Sequence, residues 1–202
     1  MERSPERDAA LRAALPHVAS LGWTLAALAA GLRDLGHAPA EARDAARSLF
    51  PRGGAALVEA WCDLADRDMA TAAMQEDLLA LRTPARVRRL IAIRLAQAAV
   101  NRDAVRRALA VLALPWNAGV ALRTAACTAD AIWAAAGDRS ADFSWYTRRA
   151  TLASIYGATL AWWLREPAPT LEATMGFLDR LLAGQARIGR LRRGAASRPA
   201  GA

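Results

Sequence analysis

The sequence predicts an all-α protein of about nine helices, and three observations carry that prediction. Apolar residues recur at spacings of three and four along almost the whole chain, the period of a helix face. Alternating apolar and polar runs, the mark of a half-buried strand, are absent. Breaks in the helical pattern coincide with residues that start or stop helices, such as Thr24, Gly36, Pro39, Pro51, Pro84, Asn101, Pro115 and Gly137.

Taken in order, the first helix covers roughly 7–20. The second follows Thr24, whose hydroxyl suits an N-cap, and stops near Gly36. The third starts at Pro39 and ends before Pro51, because proline is tolerated in a first turn and restricts the residue before it. A longer helix spans about 54–80. Thr83-Pro84 opens one to about 98, and Asn101 opens the next to about 112. Pro115 begins a helix that ends at Gly137. Asp142 caps one reaching Leu164, and after Glu166-Pro-Ala-Pro-Thr170 a last amphipathic helix runs to about 190. The segments group as a helix-turn-helix-like module over 1–52, a larger bundle over 53–168, a basic amphipathic helix over 169–193 and a disordered tail over 194–202.

Composition narrows the function classes. A chain of 202 residues and 21.5 kDa can bury a core of its own. Much of its 54% hydrophobic content is alanine, which contributes little burial energy per residue. All 27 cations are arginine, consistent with a bias in base composition. Cys62 and Cys127 are too few and too far apart for a disulfide framework or a zinc site, so a reducing cytosolic setting is expected. MERSPERDAA is acidic and is not a secretory signal. No apolar run reaches the ~18 residues that a membrane span requires. His17 and His37 are the only histidines, and neither belongs to a metal-ligand or di-iron Glu-x-x-His pattern. No phosphate-binding glycine loop is present either. No catalytic residue and no metal ligand is predicted.

Three short helices, the second and third joined by LGHAP, followed by SLFPRGGAALVEAW and a long helix, resemble in layout the start of TetR-type regulators. That resemblance implies an all-helical ligand-binding and dimerisation domain after the module. DNA binding is unlikely on charge. Residues 1–60 carry seven arginines and seven acids, whereas a DNA reader concentrates cations where it meets phosphate. Arg43 and Arg47 share the third helix with Glu41 and Asp44. The net charge of +8 resides mainly in residues 81–110 and in the C-terminal region.

The stretch ADFSWYTRRA gathers three aromatics and two arginines in a chain with only 6% aromatic residues. Trp145, Tyr146 and Arg149 are neighbours on a helix surface. Ile132 and Trp133 end the preceding helix, with Asp130, Asp142 and Arg149 nearby. Chemistry alone admits two readings: a helix corner packed into the core, or a partner surface of the Trp, Tyr and Arg type.

The run TADAIWAAAGDRSADFSWYTRRATLASIYGATLAWWL is similar to the ubiquinone (coenzyme Q) biosynthesis accessory proteins, the ninth member of the Coq series. The Trp-Tyr-Thr-Arg-Arg signature after a Gly-Asp turn is shared with bacterial relatives. AALPHVASLGWTLAALAAG, SLFPRGGAALVEAW and RRALAVLALPWNAG extend the resemblance over about residues 9–188. It implies a TetR-like fold without demonstrated DNA binding, an apolar cavity for isoprenoid lipids, a homodimer, and a non-catalytic role assisting the demethoxyubiquinone hydroxylase. With no organellar presequence recognised, a bacterial cytoplasmic protein peripherally associated with the inner membrane is expected. Under this resemblance Asp130, Ile132, Trp133, Asp142, Trp145, Tyr146 and Arg149 form the hydroxylase-docking patch.

A lipid cavity calls for apolar helix walls, and Leu90, Leu95, Leu109, Leu112, Trp116, Leu122, Leu152, Ile155, Tyr156 and Leu160 are the candidates. The same residues would also suit a filled core. The bound molecule expected is an isoprenoid quinone intermediate or a phospholipid, with no other cofactor. In the last helix, Phe177, Leu178 and Leu181 with Arg187, Arg190, Arg192 and Arg193 have the composition of a helix at an anionic membrane surface. A core-covering or dimer-packing helix with a solvated basic end is the other reading. The functional expectation is a lipid-presenting accessory protein, with a lipid-responsive TetR-like repressor and a structural scaffold as alternatives.

Overall fold

The computed structural model describes residues 3–138 and 144–196, with side chains to residue 185 except those of residues 144 and 145. Among the described residues the chain forms nine α-helices: α1 Pro5–Leu21, α2 Leu25–Asp34, α3 Pro39–Leu49, α4 Gly54–Ala73, α5 Thr83–Ala99, α6 Arg102–Leu112, α7 Ala118–Ala135, α8 Ser144–Arg165 and α9 Leu171–Ala196. Two single-turn 3-10 helices, Leu78–Ala80 and Pro115–Asn117, precede α5 and α7. The all-α prediction therefore holds.

The caps act as their residue types require. Ser4 Oγ accepts from the Arg7 amide at α1, and Thr24 Oγ1 accepts from the Ala27 amide at α2. Pro39 occupies the first turn of α3, where Glu41 reaches back to the Ala38 amide. The helix expected over 54–80 stops at Ala73. Leu78 turns inward there and is buried, and Glu76 meets Arg89 of α5. Tertiary contacts thus override a continuous helical pattern. At the other end α9 continues to Ala196, past the expected limit near 190, so 194–196 are helical. Residues 197–202 of the expected tail lie outside the described residues, as does Asp142, the expected cap of α8.

Helices α1–α3 pack together as a small module. The crossing of α1 and α2 is so close that a Cβ on Gly31 would lie 2.4 Å from the Ala13 carbonyl carbon. Trp23 fastens this module to the bundle: its ring lies 5.0 Å from that of Trp61, and its indole N–H donates to the Ala104 carbonyl at 3.0 Å. In the bundle α4 runs along α7, α7 along α8, and α9 covers α5 and α8. Arg102 at the start of α6 donates to the Trp163 and Leu164 carbonyls at the end of α8 and lies over the Trp163 ring. A cation thereby satisfies the helix C-terminus that faces it. No single described helix is long and apolar enough to cross a membrane, although the bent pair formed by α6 and Pro115–Ala135 passes on length and composition.

Candidate functional site

Between α4, α5, α6, α7 and α8 lies a cavity of about 410 Å³. Ala98, Val105, Ala108, Leu109, Leu112, Ala121, Ala125, Ala153, Gly157 and Leu160 give it apolar walls. Small residues on α7 and α8 are the local cause. Gly157 is exposed at the mouth of the cavity, where a Cβ would meet nothing within 4 Å, so no side chain closes the opening there.

One side of this cavity is polar. Arg94 and Asp66 are 5% and 6% exposed, and Arg94 Nε donates to Asp66 Oδ1 at 3.1 Å. Thr128 Oγ1 donates to Asp66 Oδ2 at 2.8 Å, so both carboxylate oxygens are engaged. Tyr156, Trp61, Cys62 and Thr124 complete this side. Burial raises the Asp66 carboxyl above the usual range, against the opposing pull of Arg94 and Thr128. Burial likewise pushes the Cys62 thiol up to about 12 and raises the Tyr156 phenol. Thr124 Oγ1 is buried without a hydrogen-bond partner among the described residues.

Four of the ten expected wall residues line this cavity: Leu109, Leu112, Tyr156 and Leu160. Leu90 and Leu95 do not. Both are wholly buried in filled core, because the inner face of α5 packs directly on its neighbours. Leu152 and Ile155 line a separate groove with Val87, Trp133 and Leu182. Trp116, on the 3-10 turn before α7, is 78% exposed and outside the wall. Leu122 faces outward on α7 and borders an external groove with Ala126, Asp130, Tyr146, Arg149 and Ala150. Sequence reading missed the Asp66–Arg94–Thr128 cluster, Thr124, Trp61 and Cys62. The available signal was an arginine embedded in the apolar run LIAIRLAQ.

The expected docking patch is divided. Tyr146 is 73% exposed and Asp130 is exposed. Ile132 is fully buried, which removes it from any surface: it shares the inner face of α7 with Thr128, Ala129 and Ala136. Trp133 is half-buried, with the Arg148 guanidinium 5.7 Å from its ring centre. Arg149 is buried and ties α8 to the end of α7 through Asp130 at 2.6 Å and Asp138 at 3.7 Å. Its burial removes it from the exposed part of the expected docking patch. Asp142 and the side chain of Trp145 lie outside the described residues.

The proposed membrane face of α9 also changes. Leu178 is completely buried, and Phe177 stacks on Trp162 with ring centres 5.2 Å apart. Leu181 packs against the core, and Asp179 takes a two-pronged ion pair from Arg88 at 2.7 and 2.9 Å. The first half of α9 is therefore a core-covering helix, since its apolar stripe is used within the molecule. The side chains of Arg187, Arg190, Arg192 and Arg193 lie outside the described set.

Residues 118–189, which span α7, α8 and most of α9, match the COQ9 family model. Over 176 residues the chain is 32% identical to the human protein named ubiquinone biosynthesis protein COQ9, mitochondrial, an alignment covering 84% of this chain and 54% of that protein. The protein of the same name from Schizosaccharomyces pombe is 33% identical over 173 residues, covering 84% and 65% respectively. The chain spans about half the length of most of the curated relatives it matches. Among solved structures, the TetR transcriptional regulator from Nitrosomonas europaea superposes with a TM-score of 0.69 at 28% identity, covering 91% of this chain and 99% of that one.

Proposed function

The chain is a homologue of the COQ9 proteins built on a TetR-like fold, and from that premise we propose that it is a non-catalytic, lipid-binding accessory protein of ubiquinone biosynthesis. Its task is to take up an isoprenoid quinone intermediate and present it to the demethoxyubiquinone hydroxylase. The observation that carries this reading is the apolar cavity of about 410 Å³. Much of its wall comes from α7 and α8, within the segment that matches the COQ9 model. Pockets of this kind bury small apolar ligands while a few polar groups fix their orientation.

The exposed faces of α7 and α8, with Leu122, Ala125, Ala126, Ala150 and Ala158, support a homodimer. Tyr146 and Asp130 are the exposed members of the expected docking patch. The arginine-rich end of α9 suits peripheral attachment to an anionic membrane, where each cation contributes about 1 kcal/mol. The test is organic extraction of the purified protein followed by mass spectrometry. A co-purifying isoprenoid quinone supports the proposal, and a protein free of lipid after gentle isolation refutes it.

The likeness to a TetR regulator favours one second reading, a repressor with a lipid effector. Against it, Arg47 of α3 lies beside Asp44 at 3.9 Å, and residues 1–60 balance seven arginines with seven acids. A salt-dependent gel shift with genomic fragments would replace the first reading by this one.

A further inference from the structure

The polar side of the cavity has a specific chemistry. Asp66 has both oxygens engaged, one by Arg94 Nε and the other by Thr128. Arg94, 5% exposed, is held at its Nε edge and lines the cavity. Thr124 Oγ1, on a residue 8% exposed, has no partner and lines the same cavity. An unmade hydrogen bond at a buried group is costly, and leaving that of Thr124 beside empty space is explained most simply by an occupant that supplies the missing partner. The pair is also charge-compensated. An anionic headgroup would leave a net buried charge, whereas a neutral oxygen would not.

We propose that this cavity binds its ligand head-first, with Arg94 and Thr124 donating hydrogen bonds to a carbonyl or ring oxygen of an uncharged oxygenated ring such as a benzoquinone. The apolar tail runs along Leu109, Leu112 and Leu160. Asp66 is a positioning residue: it fixes the guanidinium and cancels its charge, and it does not touch the ligand. This inference rests on the lipid-binding reading above and adds the end of the lipid that is read and the residues that read it.

The test uses the full chain stripped of lipid, with tryptophan quenching and calorimetry as readouts. The probes are a decyl-substituted benzoquinone, decanol as a headless chain, and lysophosphatidic acid as a phosphate-headed lipid. Thr124→Val keeps the shape and removes the hydroxyl. It should weaken benzoquinone binding about threefold to tenfold, the worth of one hydrogen bond, and leave decanol binding and thermal stability unchanged or improved. Arg94→Met combined with Asp66→Leu removes the pair without leaving an orphan charge. It should weaken benzoquinone binding by at least about tenfold while the protein stays folded.

Equal loss for benzoquinone and decanol, or no loss for either, overturns the head-first reading while leaving the lipid cavity intact. Tighter binding of lysophosphatidic acid than of benzoquinone, abolished by the double variant, overturns it in favour of a phosphate head. Failure of the unmodified protein to bind any of the three overturns the lipid-binding function itself.

Discussion

The emptiness of the cavity at Gly157 can be tested by filling it. Gly157 lies inside α8, lines the cavity, and would place a Cβ more than 4 Å from any neighbour. Gly157→Ala should stabilise the protein, because glycine in a helix interior costs about 1 kcal/mol relative to alanine. For a chain of this size that corresponds to a rise in Tm of about 2–4 °C. It leaves most of the cavity's 410 Å³ free, so the lipid content after purification should not change. Gly157→Leu gains most of the same propensity and projects a branched side chain from an exposed position at the cavity mouth, across the way a ligand would enter. It should keep most of the alanine variant's gain in Tm and lose co-purifying lipid. Differential scanning fluorimetry and extraction with mass spectrometry measure the two quantities, and gel filtration controls for altered assembly. Opposite movements of stability and loading are what a binding cavity predicts, since a site kept open forgoes packing. A leucine variant with lower Tm would mean that the space is not empty. A leucine variant with undiminished lipid would place the lipid elsewhere.

Two further predictions probe the frame that positions the cavity. Gly31→Ala should lower stability by about 1–3 kcal/mol or more, because the new methyl would meet the α1 backbone, which cannot rotate away. Gly176→Ala in α9, with only a distant arginine tip nearby, should be neutral or stabilising, and chemical denaturation of the two variants side by side checks both. At the module's edge, Arg67 grips Asp8 through two bonds of 2.7 Å and holds its carboxyl below the ordinary value of 3.8. A depressed folded-state pKa contributes stability above the unfolded value, and that stability is lost as pH falls towards the folded one. Asp8→Asn should therefore cost about 1 kcal/mol at neutral pH, a figure reduced for partial exposure. The gap between variant and parent melting curves should narrow as pH falls below the ordinary carboxylate range, and a gap independent of pH would refute the ion-pair account.

Element types were legible in the sequence because helix periodicity and caps are local. Thr24 and Pro39 begin their helices as expected, and Asn101 directly precedes α6. The overrun of α4 past Ala73 was not legible, because the burial of Leu78 and the Glu76–Arg89 pair depend on α5 being already in place. The site was legible only in part, for a related reason. Apolarity at helical spacing marks the inner face of a helix, but it does not say whether that face meets another side chain, as at Leu90 of α5, or open space, as at Leu109 of α6. The difference lies in the residues opposite, above all Gly157 and the alanines of α7 and α8.

The polar side of the cavity bears most directly on function. A buried ion pair is weak evidence for stability, since well-packed apolar replacements are often as stable or more so. Arg94 and Asp66 are therefore not explained by the folding of the bundle, which apolar side chains at those positions would serve as well. Nor does Asp66 need Arg94 as its only donor, because Thr128 already serves one oxygen. What the pair uniquely provides is a fixed, charge-compensated set of donors in the wall of an otherwise apolar cavity. A filled core would gain nothing from such donors, whereas a site that must distinguish a ring-headed lipid from a plain hydrocarbon chain requires them.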